Sequence, residues 1–403
     1  MVEIVSSIEA VAGFKAAGVH CGLKKDDRLD LALIVSDCSC AAAGVFTTNQ
    51  LQAAPVRYDQ ELLRRGSASV RAVIVNTGSA NACTGPQGDE NARATAQYVA
   101  ERVGCTADEV LVLSTGVIGT QLPMDKIRAG IAQAAGALGD NWQAAAQAIM
   151  TTDTRPKLAS VTVTDAGGVY QIAGITKGAG MIAPNMATML GVIVTDAALS
   201  PSQAQAALSA GVAVSYNQIV VDGDMSPNDT VLLLANGASG VKPDVDVFQQ
   251  ALTALCERLA QAIVRDGEGA TKFIALEVRR ASDDAAARKI AHTIATSALV
   301  KTAFYGSDAN WGRIIAAAGR SGVPFDPSRA QLQMASAVNG RRQAVLLFNA
   351  GVPADYSEAL AAAIIGAPDV QVTLDCGLGS GEATVWTCDL SHDYVTINGA
   401  YRT

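Results

Sequence analysis

The sequence predicts a protein of the α/β class, with helices packed against layered β-sheets. Short apolar runs of strand length alternate with amphipathic runs of helical period along almost the whole chain, and this alternation is typical of layered α/β folds. Small residues dominate: the chain has 403 residues, of which 37 are Gly, and 4% are aromatic. Hydrophobic residues make up 49% of the chain. That share is ample for a large core, and the length suggests two domains or three.

In the first half of the chain, glycine and turn residues separate the predicted elements. Gly104 follows an amphipathic run and marks a helix end, and residues 165–168 are the expected turn of a β-hairpin. A further turn is expected at residues 37–40, between two strands. The predicted strands are 31–36, 41–48, 70–75, 109–113, 160–164 and 169–175, and the predicted helices are 90–103, 124–135 and 141–150.

Strands and helices continue to alternate in the second half. Ser200 has the side chain of a helix N-cap. The Gly-rich stretch 377–381 resembles a dinucleotide-binding loop, but a strand is expected after it instead of a helix, so this assignment is rejected. The acidic stretch 222–230 lacks the ligand order of a calcium loop and favours a turn network. The predicted strands are 189–194, 219–221, 231–235, 273–278, 344–348, 370–374 and 383–388, and the predicted helices are 200–214, 246–264, 282–300 and 356–365.

Charge, hydropathy and cysteine spacing exclude several classes of protein. The net charge is −8 and no basic stripe is present, so we expect no nucleic-acid partner. No apolar run reaches the ~18 residues of a membrane helix, and the N-terminus lacks the basic flank of a signal peptide. The eight cysteines form no Cys-x-x-Cys pair and the three histidines are scattered, so no metal site is expected. These features favour a cytoplasmic protein with reduced, mostly buried thiols.

Two polar loops carry residue types that suit catalysis or binding. Thr115 and Gly116 follow a buried strand, so a hydroxyl and an unencumbered backbone N–H come together there, as an oxyanion requires. An ordinary turn is the alternative. Glu268 lies between two glycines before a predicted strand, where an acidic side chain is either a site residue or a solvated turn residue.

The stretch from residue 177 to 196 is the most unusual part of the chain. A Gly-rich turn leads through Ala187 and Thr188 into a buried strand. If the Thr188 hydroxyl attacked the preceding carbonyl and the peptide bond opened, Thr188 would gain a free α-amine. That amine titrates near pH ~8 and can serve as the base for its own hydroxyl. An inert loop before a core strand is the alternative, and it is the commoner meaning of such a pattern.

Taken in order, these stretches resemble the ornithine acetyltransferase family, the bifunctional glutamate N-acetyltransferase and amino-acid acetyltransferase of arginine biosynthesis. The resemblance covers nearly the whole chain. The matching stretches are 18–20, 43–49, 76–85, 113–119, 151–154, 177–196, 221–230, 266–273 and 309–313.

The resemblance implies an α-β-β-α sandwich similar to that of N-terminal-nucleophile hydrolases, with different strand connectivity. This sandwich would span residues 1–280, and a smaller C-terminal α/β domain would span 281–403, with its tail returning to the active site. The precursor would cut itself between Ala187 and Thr188 into an alpha chain, 1–187, and a beta chain, 188–403. Two alpha and two beta chains would then associate.

By the same resemblance, Thr188 is the nucleophile that carries the acetyl group, and Thr115 and Gly116 form the oxyanion hole. The residues implied to contact substrate are Thr151, Lys177, Thr188, Glu268, Asn398 and Thr403. Lys177 suits a substrate α-carboxylate as a point charge. Either Glu268 or the carboxylate of Thr403 could bind the side-chain ammonium of ornithine.

The implied activity is transfer of acetyl from N2-acetyl-L-ornithine to L-glutamate, with no cofactor. Acetyl-CoA stays open as a second donor. Two other functions remain as alternatives. One is a self-processing N-terminal-threonine amidohydrolase or aminopeptidase with water as acceptor. The other is a non-enzymatic binding or assembly protein that has kept the scaffold.

Overall fold

The computed structural model describes residues 3–66, 69–183 and 189–400. These residues form two compact units. The first comprises Met1–Asn217 and Asp224–Ile263, and the second comprises Gln218–Gly223 and Val264–Thr403. No helix in the described ranges is long and apolar enough to cross a bilayer. All eight cysteines are free, and half of them are buried.

The described part of the chain contains sixteen strands and eleven α-helices. The strands are β1 (Ile4–Val5), β2 (Phe14–Val19), β3 (Leu31–Phe46), β4 (Val70–Asn76), β5 (Val110–Ser114), β6 (Lys157–Asp165), β7 (Gly168–Lys177), β8 (Leu190–Thr195), β9 (Ile219–Val220), β10 (Thr230–Ala235), β11 (Phe273–Ala281), β12 (Gln331–Val338), β13 (Arg341–Asn349), β14 (Val352–Pro353), β15 (Asp369–Asp375) and β16 (Gly381–Cys388). The helices are α1 (Ala54–Gly66), α2 (Gly85–Val103), α3 (Met124–Gly136), α4 (Trp142–Ala148), α5 (Pro201–Ala213), α6 (Val245–Val264), α7 (Asp284–Ala295), α8 (Ala298–Tyr305), α9 (Trp311–Gly319), α10 (Glu358–Ile365) and α11 (His392–Gly399).

The first unit is built on a nine-stranded sheet in the order β1-β6-β7-β8-β10-β3-β4-β5, with β2 paired to β3. The long strand β3 changes partners along its length. Residues 31–35 pair with β2 and β4, and residues 41–46 pair with β10. The turn expected at residues 37–40 is therefore wrong, because the strand continues through a register shift between Val35 and Cys40. A bulge of this kind bends a strand without ending it.

The bend in β3 folds the sheet into two facing layers. Alternate residues of β4, such as Val73 and Val75, and residues of β8, such as Val192 and Val194, belong to one buried cluster between the layers. The opposite face of β4 packs against α2 and α3 in a second cluster. On the other side, α5 packs against β3 and β10, and Leu259 of α6 approaches β7. The layers therefore run α-β-β-α, as predicted, with side chains alternating between the two faces of each strand.

Strand β8 is buried at all six positions, which confirms the buried strand predicted there. It pairs antiparallel with β7 and parallel with β10. Leu190, its first residue, lies opposite Lys177 at the end of β7 and opposite Thr230 at the start of β10. Three strands therefore have chain ends at one edge of this layer.

The second unit contains a seven-stranded sheet in the order β14-β13-β12-β15-β11-β16-β9, with α7 and α10 packed against it. This agrees with a smaller C-terminal α/β domain. The division falls at residue 264, whereas the boundary was expected after 280, because β11 is a central strand of the second sheet. The single helix predicted over 282–300 is wrong, since α7 ends at Ala295 and a new helix, α8, begins at Ala298.

The packing of β2 on α4 gives a stability prediction for Gly18. A Cβ atom at Gly18 would lie 2.1 Å from the carbonyl oxygen of Ala144, so Gly18→Ala should destabilise the chain by about 3 kcal/mol. Gly136→Ala is the matched control, because no atom lies within 4 Å of its Cβ position and Ala favours a helix. Thermal melting followed by circular dichroism should show a large drop for the first variant and none for the second. Equal melting temperatures would refute this packing.

Candidate active site

The end of β5 and the end of β7 meet inside the first unit. Thr115 follows β5 directly, and Lys177 is the last residue of β7. Lys177 Nζ lies 3.4 Å from Thr115 Oγ1, and both residues are buried. An ammonium can only donate, so Thr115 Oγ1 accepts in this contact and keeps its own hydrogen for another acceptor. Two residues predicted from separate stretches of sequence therefore lie in contact.

Gly116 occupies a position that no other residue fits. Its φ of 134° lies in the region that favours glycine, and a Cβ atom there would lie 2.4 Å from the carbonyl carbon of Gly78. The backbone around it is fixed by hydrogen bonds from Thr115 N to Asn76 O at 3.0 Å and from Val117 N to Gly78 O at 3.2 Å. The Thr-Gly turn is thus held against the loop that follows β4.

A buried amide joins this turn to the layer that contains β8. Asn228 Nδ2 donates to Ala80 O at 2.7 Å and to Ser114 O at 2.8 Å. Asn228 lies two residues before β10, in the acidic stretch predicted to form a turn network. Its backbone N–H binds Ser226 Oγ, and its carbonyl accepts from Thr230 Oγ1, so the turn network is confirmed.

Thr151 and the end of β7 are connected through the carboxylate of Asp153. Oδ2 of Asp153 accepts from Thr151 N at 3.0 Å, and Oδ1 accepts from Gly178 N at 2.7 Å. Oδ1 also pairs with Lys157 Nζ at 2.6 Å, and neither side chain of that pair is more than 1% exposed. The structure therefore gathers four of the predicted residues, Thr115, Gly116, Thr151 and Lys177, in the first unit.

Asp153 stays ionised despite its burial. Burial raises the pKa of Asp153, but the positive charges of Lys177 and Lys157, with the hydrogen bonds from Gly178 and Lys157, outweigh it and lower the pKa to about 2. A buried carboxylate is tolerated when cations and N–H donors surround it.

Asp229 is a second buried carboxyl, in the opposite protonation state. Its Oδ1 accepts from Met189 N at 2.8 Å, so it holds the residue that follows Thr188 in the sequence. Burial raises the pKa of Asp229 well above its usual range, although the Met189 N–H and the charge of Lys177 act to lower it. No hydrogen-bond partner for its Oδ2 is found among the residues that the structure describes. Burial therefore favours the protonated form of Asp229.

Glu268 and Asn398 contact each other in the second unit. Asn398 Nδ2 donates to Glu268 Oε2 at 2.7 Å. The loop that carries Glu268 is held against the start of α11, because Ser391 Oγ donates to Gly269 O at 2.6 Å. A Cβ atom at Gly269, whose φ is 69°, would lie 2.7 Å from Tyr394 N. The remaining predicted site residues, Ala187, Thr188 and Thr403, lie outside the described residues.

Sequence reasoning did not identify Asp153, Lys157, Asn228 or Asp229 as site residues. All four are polar residues in or beside turns, and their burial follows from contacts with distant parts of the chain. Nothing in the local pattern distinguishes them from solvated turn residues. In the described ranges, no group of three or more metal-ligating side chains is present.

The fold and the site together define an enzyme of the layered α/β class, with a Thr-Gly turn and a buried lysine at one edge of its sandwich. The model of the ArgJ family matches residues 15–403. The chain is 49% identical to an arginine biosynthesis bifunctional protein ArgJ of Geobacter sulfurreducens, covering 98% of this chain and 100% of that protein. It is 48% identical to the mitochondrial ArgJ of Neurospora crassa, covering 97% and 88%.

The chain belongs to the ArgJ family, which confirms the resemblance and the expectation of an acyltransferase of arginine biosynthesis. Two solved chains are also similar. One is an ornithine acetyltransferase of Mycobacterium tuberculosis in complex with ornithine (41% identity, 46% of this chain and 98% of that chain, TM-score 0.42). The other is an arginine biosynthesis bifunctional protein argJ of Bacillus halodurans (40% identity, 51% and 96%, TM-score 0.47).

The confinement of Gly116 leads to a prediction about catalysis. Gly116→Ala should push the Thr-Gly turn away from Gly78 and lower kcat by about 10²-fold, the usual effect of losing one oxyanion donor. Gly119→Ala is the control in the same loop. It also requires a positive φ, of 82°, but its Cβ would meet no atom within 4 Å. Steady-state kinetics should separate the two, and equal activity would show that the turn has no catalytic part.

The two buried carboxyls predict opposite effects of pH on stability. Burial raises the pKa of Asp229 in the folded chain well above the 3.8 of the unfolded side chain, so its contribution to stability falls as pH rises above about 4. Asp229→Asn should therefore have a higher melting temperature than the wild type at pH 7.5, and this difference should vanish toward pH 4.

Asp153→Asn provides the contrasting variant. The lowered pKa of Asp153 means that its carboxylate stabilises the fold above pH 3.8, and this stabilisation is lost as pH falls through about 2. This variant should melt lower than the wild type at pH 7.5. Melting temperatures at several pH values test both signs. If Asp229→Asn lowered the melting temperature by the same amount at every pH, the raised pKa of Asp229 would be contradicted.

Proposed function

We propose that this chain transfers an acetyl group from N2-acetyl-L-ornithine to L-glutamate through an acetyl-Thr188 intermediate. Membership of the ArgJ family supports the reaction class. The observation that carries the proposal is the contact of Lys177 Nζ with Thr115 Oγ1 at 3.4 Å. This contact supports a site in which Lys177 binds a substrate carboxylate and the Thr115 hydroxyl donates to an oxyanion.

In the first half-reaction, Thr188 Oγ attacks the acetyl carbonyl carbon and gives its proton to its own α-amine. The carbonyl oxygen becomes an oxyanion, which Thr115 Oγ1–H and Gly116 N–H stabilise as donors. The tetrahedral intermediate collapses when the C–N bond breaks. The departing amine takes the proton from the Thr188 ammonium and leaves as ornithine, and acetyl-Thr188 remains.

In the second half-reaction, the neutral α-amine of glutamate attacks the acetyl ester of Thr188. The same oxyanion hole holds the second intermediate, and the α-amine of Thr188 takes a proton from the attacking glutamate nitrogen. As the C–O bond breaks, this proton passes to Thr188 Oγ, and acetylglutamate and the free enzyme result. Both substrates carry an α-carboxylate, which Lys177 suits as a buried point charge. Thr151, Glu268, Asn398 and Thr403 complete the proposed substrate contacts, with Glu268 or the Thr403 carboxylate binding the δ-ammonium of ornithine.

Self-cleavage between Ala187 and Thr188 prepares the nucleophile. The α-amine that serves as base exists only after this bond opens, so the uncut chain should be inactive. The proposal includes a cytoplasmic location and an assembly of two alpha and two beta chains. Acetyl-CoA is a second donor to be tested beside acetylornithine.

The experiment incubates the purified chain with glutamate and either acetylornithine or acetyl-CoA, and mass spectrometry identifies the products. Acetylglutamate with little free acetate is expected from acetylornithine. Free acetate as the main product, with glutamate unchanged, would instead establish an amidohydrolase. Product from neither donor would overturn the proposal.

The nucleophile is tested with Thr188→Ala, which should remain a single 403-residue chain and lose all transfer activity. Intact-mass measurement of the wild type should show fragments 1–187 and 188–403, with an acetyl adduct on the second after incubation with donor alone. Thr162→Ala, at an exposed position of β6, is the matched control and should be cut and active. Two fragments from Thr188→Ala would eliminate Thr188 as the cleaving residue.

A further inference from the structure

The carboxylate of Asp153 binds three polar groups of the first unit next to the predicted site residues. Its two oxygens accept hydrogen bonds from Thr151 N at 3.0 Å, from Gly178 N at 2.7 Å and from Lys157 Nζ at 2.6 Å. The first bond fixes the turn before β6, and the second fixes the residue directly after Lys177. One carboxylate therefore sets the spacing between two of the residues proposed to bind substrate.

Two buried lysines share the single carboxylate of Asp153. Lys157 and Lys177 are buried cations, and Asp153 is the ionised acid between them. Asp229 also lies near Lys177, but burial raises its pKa and so favours its neutral form. Lys24, from the loop after β2, adds positive charge on the Asp153 side. An excess buried cation is costly unless an anion joins it, and a substrate carboxylate supplies one.

We propose that Asp153 is a positioning residue that holds Lys177 charged and aimed at the α-carboxylate of both substrates. This inference rests on the proposed acetyl transfer. Asp153 touches neither the reacting atoms nor the substrate. It acts through the Gly178 backbone bond, which orients the end of β7, and through attraction between its carboxylate and the Lys177 ammonium.

A merely structural role for Asp153 predicts different behaviour. If the Asp153–Lys157 pair only filled the core, removing either partner would have similar effects, and neither would change how activity depends on pH. If Asp153 sustains the charge of Lys177, its loss removes a neighbouring anion, and Lys177 gives up its proton at lower pH. Lys157→Met leaves the Asp153–Lys177 attraction in place, so it should not move that titration.

The experiment measures kcat/KM for acetylornithine from pH 6 to 10.5, which in a two-step exchange reports the donor half-reaction alone. In Asp153→Asn we expect a decrease of about 10²-fold at pH 8, mainly in KM, for both donor and glutamate. The basic limb of the profile should move down by about one pH unit or more. Lys157→Met should lower activity less and keep the basic limb where it is.

Asp196→Asn is the matched control. Asp196 is a buried acid just beyond the far end of β8, and its Oδ1 accepts a hydrogen bond from Gln171 N at 2.7 Å. Its profile should match the wild type. If Asp153→Asn does not fold, Asp153→Asn combined with Lys157→Met keeps the net charge of the cluster and should show the same shift of the basic limb. An unmoved limb in either variant, or an equal shift in Lys157→Met, would overturn the inference.

Failure of the proposed function is distinguishable from failure of this inference. A wild type without transfer activity would reject the function, and calorimetric binding of acetylornithine between pH 7 and 10 would then carry the test. As pH rises, binding of acetylornithine to Asp153→Asn should begin to weaken at a lower pH than binding to the wild type. An active wild type with an unchanged Asp153→Asn profile would reject only the positioning role.

Discussion

The bulged strand β3 is the constraint on which the first unit depends. Its first half belongs to the layer of β4 and β5, and its second half belongs to the layer of β8 and β10. Because one strand is shared, the two layers face each other with a fixed offset, and the ends of β5 and β7 come together. The Asn228 amide closes this edge by binding Ser114 O and Ala80 O. The proximity of Thr115 to Lys177 therefore follows from the topology of the sheet.

The local sequence pattern was sufficient to predict most strands and helices of this fold. It failed where contacts between distant parts of the chain determine the structure. The buried strand before residue 195 and the helix capped by Ser200 were predicted, and Ser200 Oγ does accept from Gln203 N. The register shift in β3 could not be predicted, since the polar residues between Val35 and Cys40 are typical of a turn. Seven elements were not predicted: α1, α9, α11, β1, β2, β12 and β14. The Thr-Gly turn and Lys177 were identifiable from residue type, whereas Asp153 and Asp229 were not, because only tertiary contacts make a turn carboxylate buried.

The two carboxyls near Lys177 show how environment assigns charge. Asp153 has a lysine and backbone N–H groups against its oxygens, so the ionised form is favoured. Asp229 is buried and accepts from the backbone N–H of Met189, and burial raises its pKa, so the neutral form is favoured. Two identical side chains near one lysine thus have pKa values shifted in opposite directions, and such a separation of pKa values is common at functional sites.

The position of β8 determines what a backbone break before it would do. The strand is flanked by β7, which precedes residue 187, and by β10, which follows it, and each neighbour is paired with all six of its residues. Opening the peptide bond before residue 188 would break the covalent connection between β7 and β8. The hydrogen bonds of both strand pairs would remain intact. The two polypeptides would remain interleaved as partners of one sheet, and a gene divided at that codon could encode the same sandwich from two separately translated pieces.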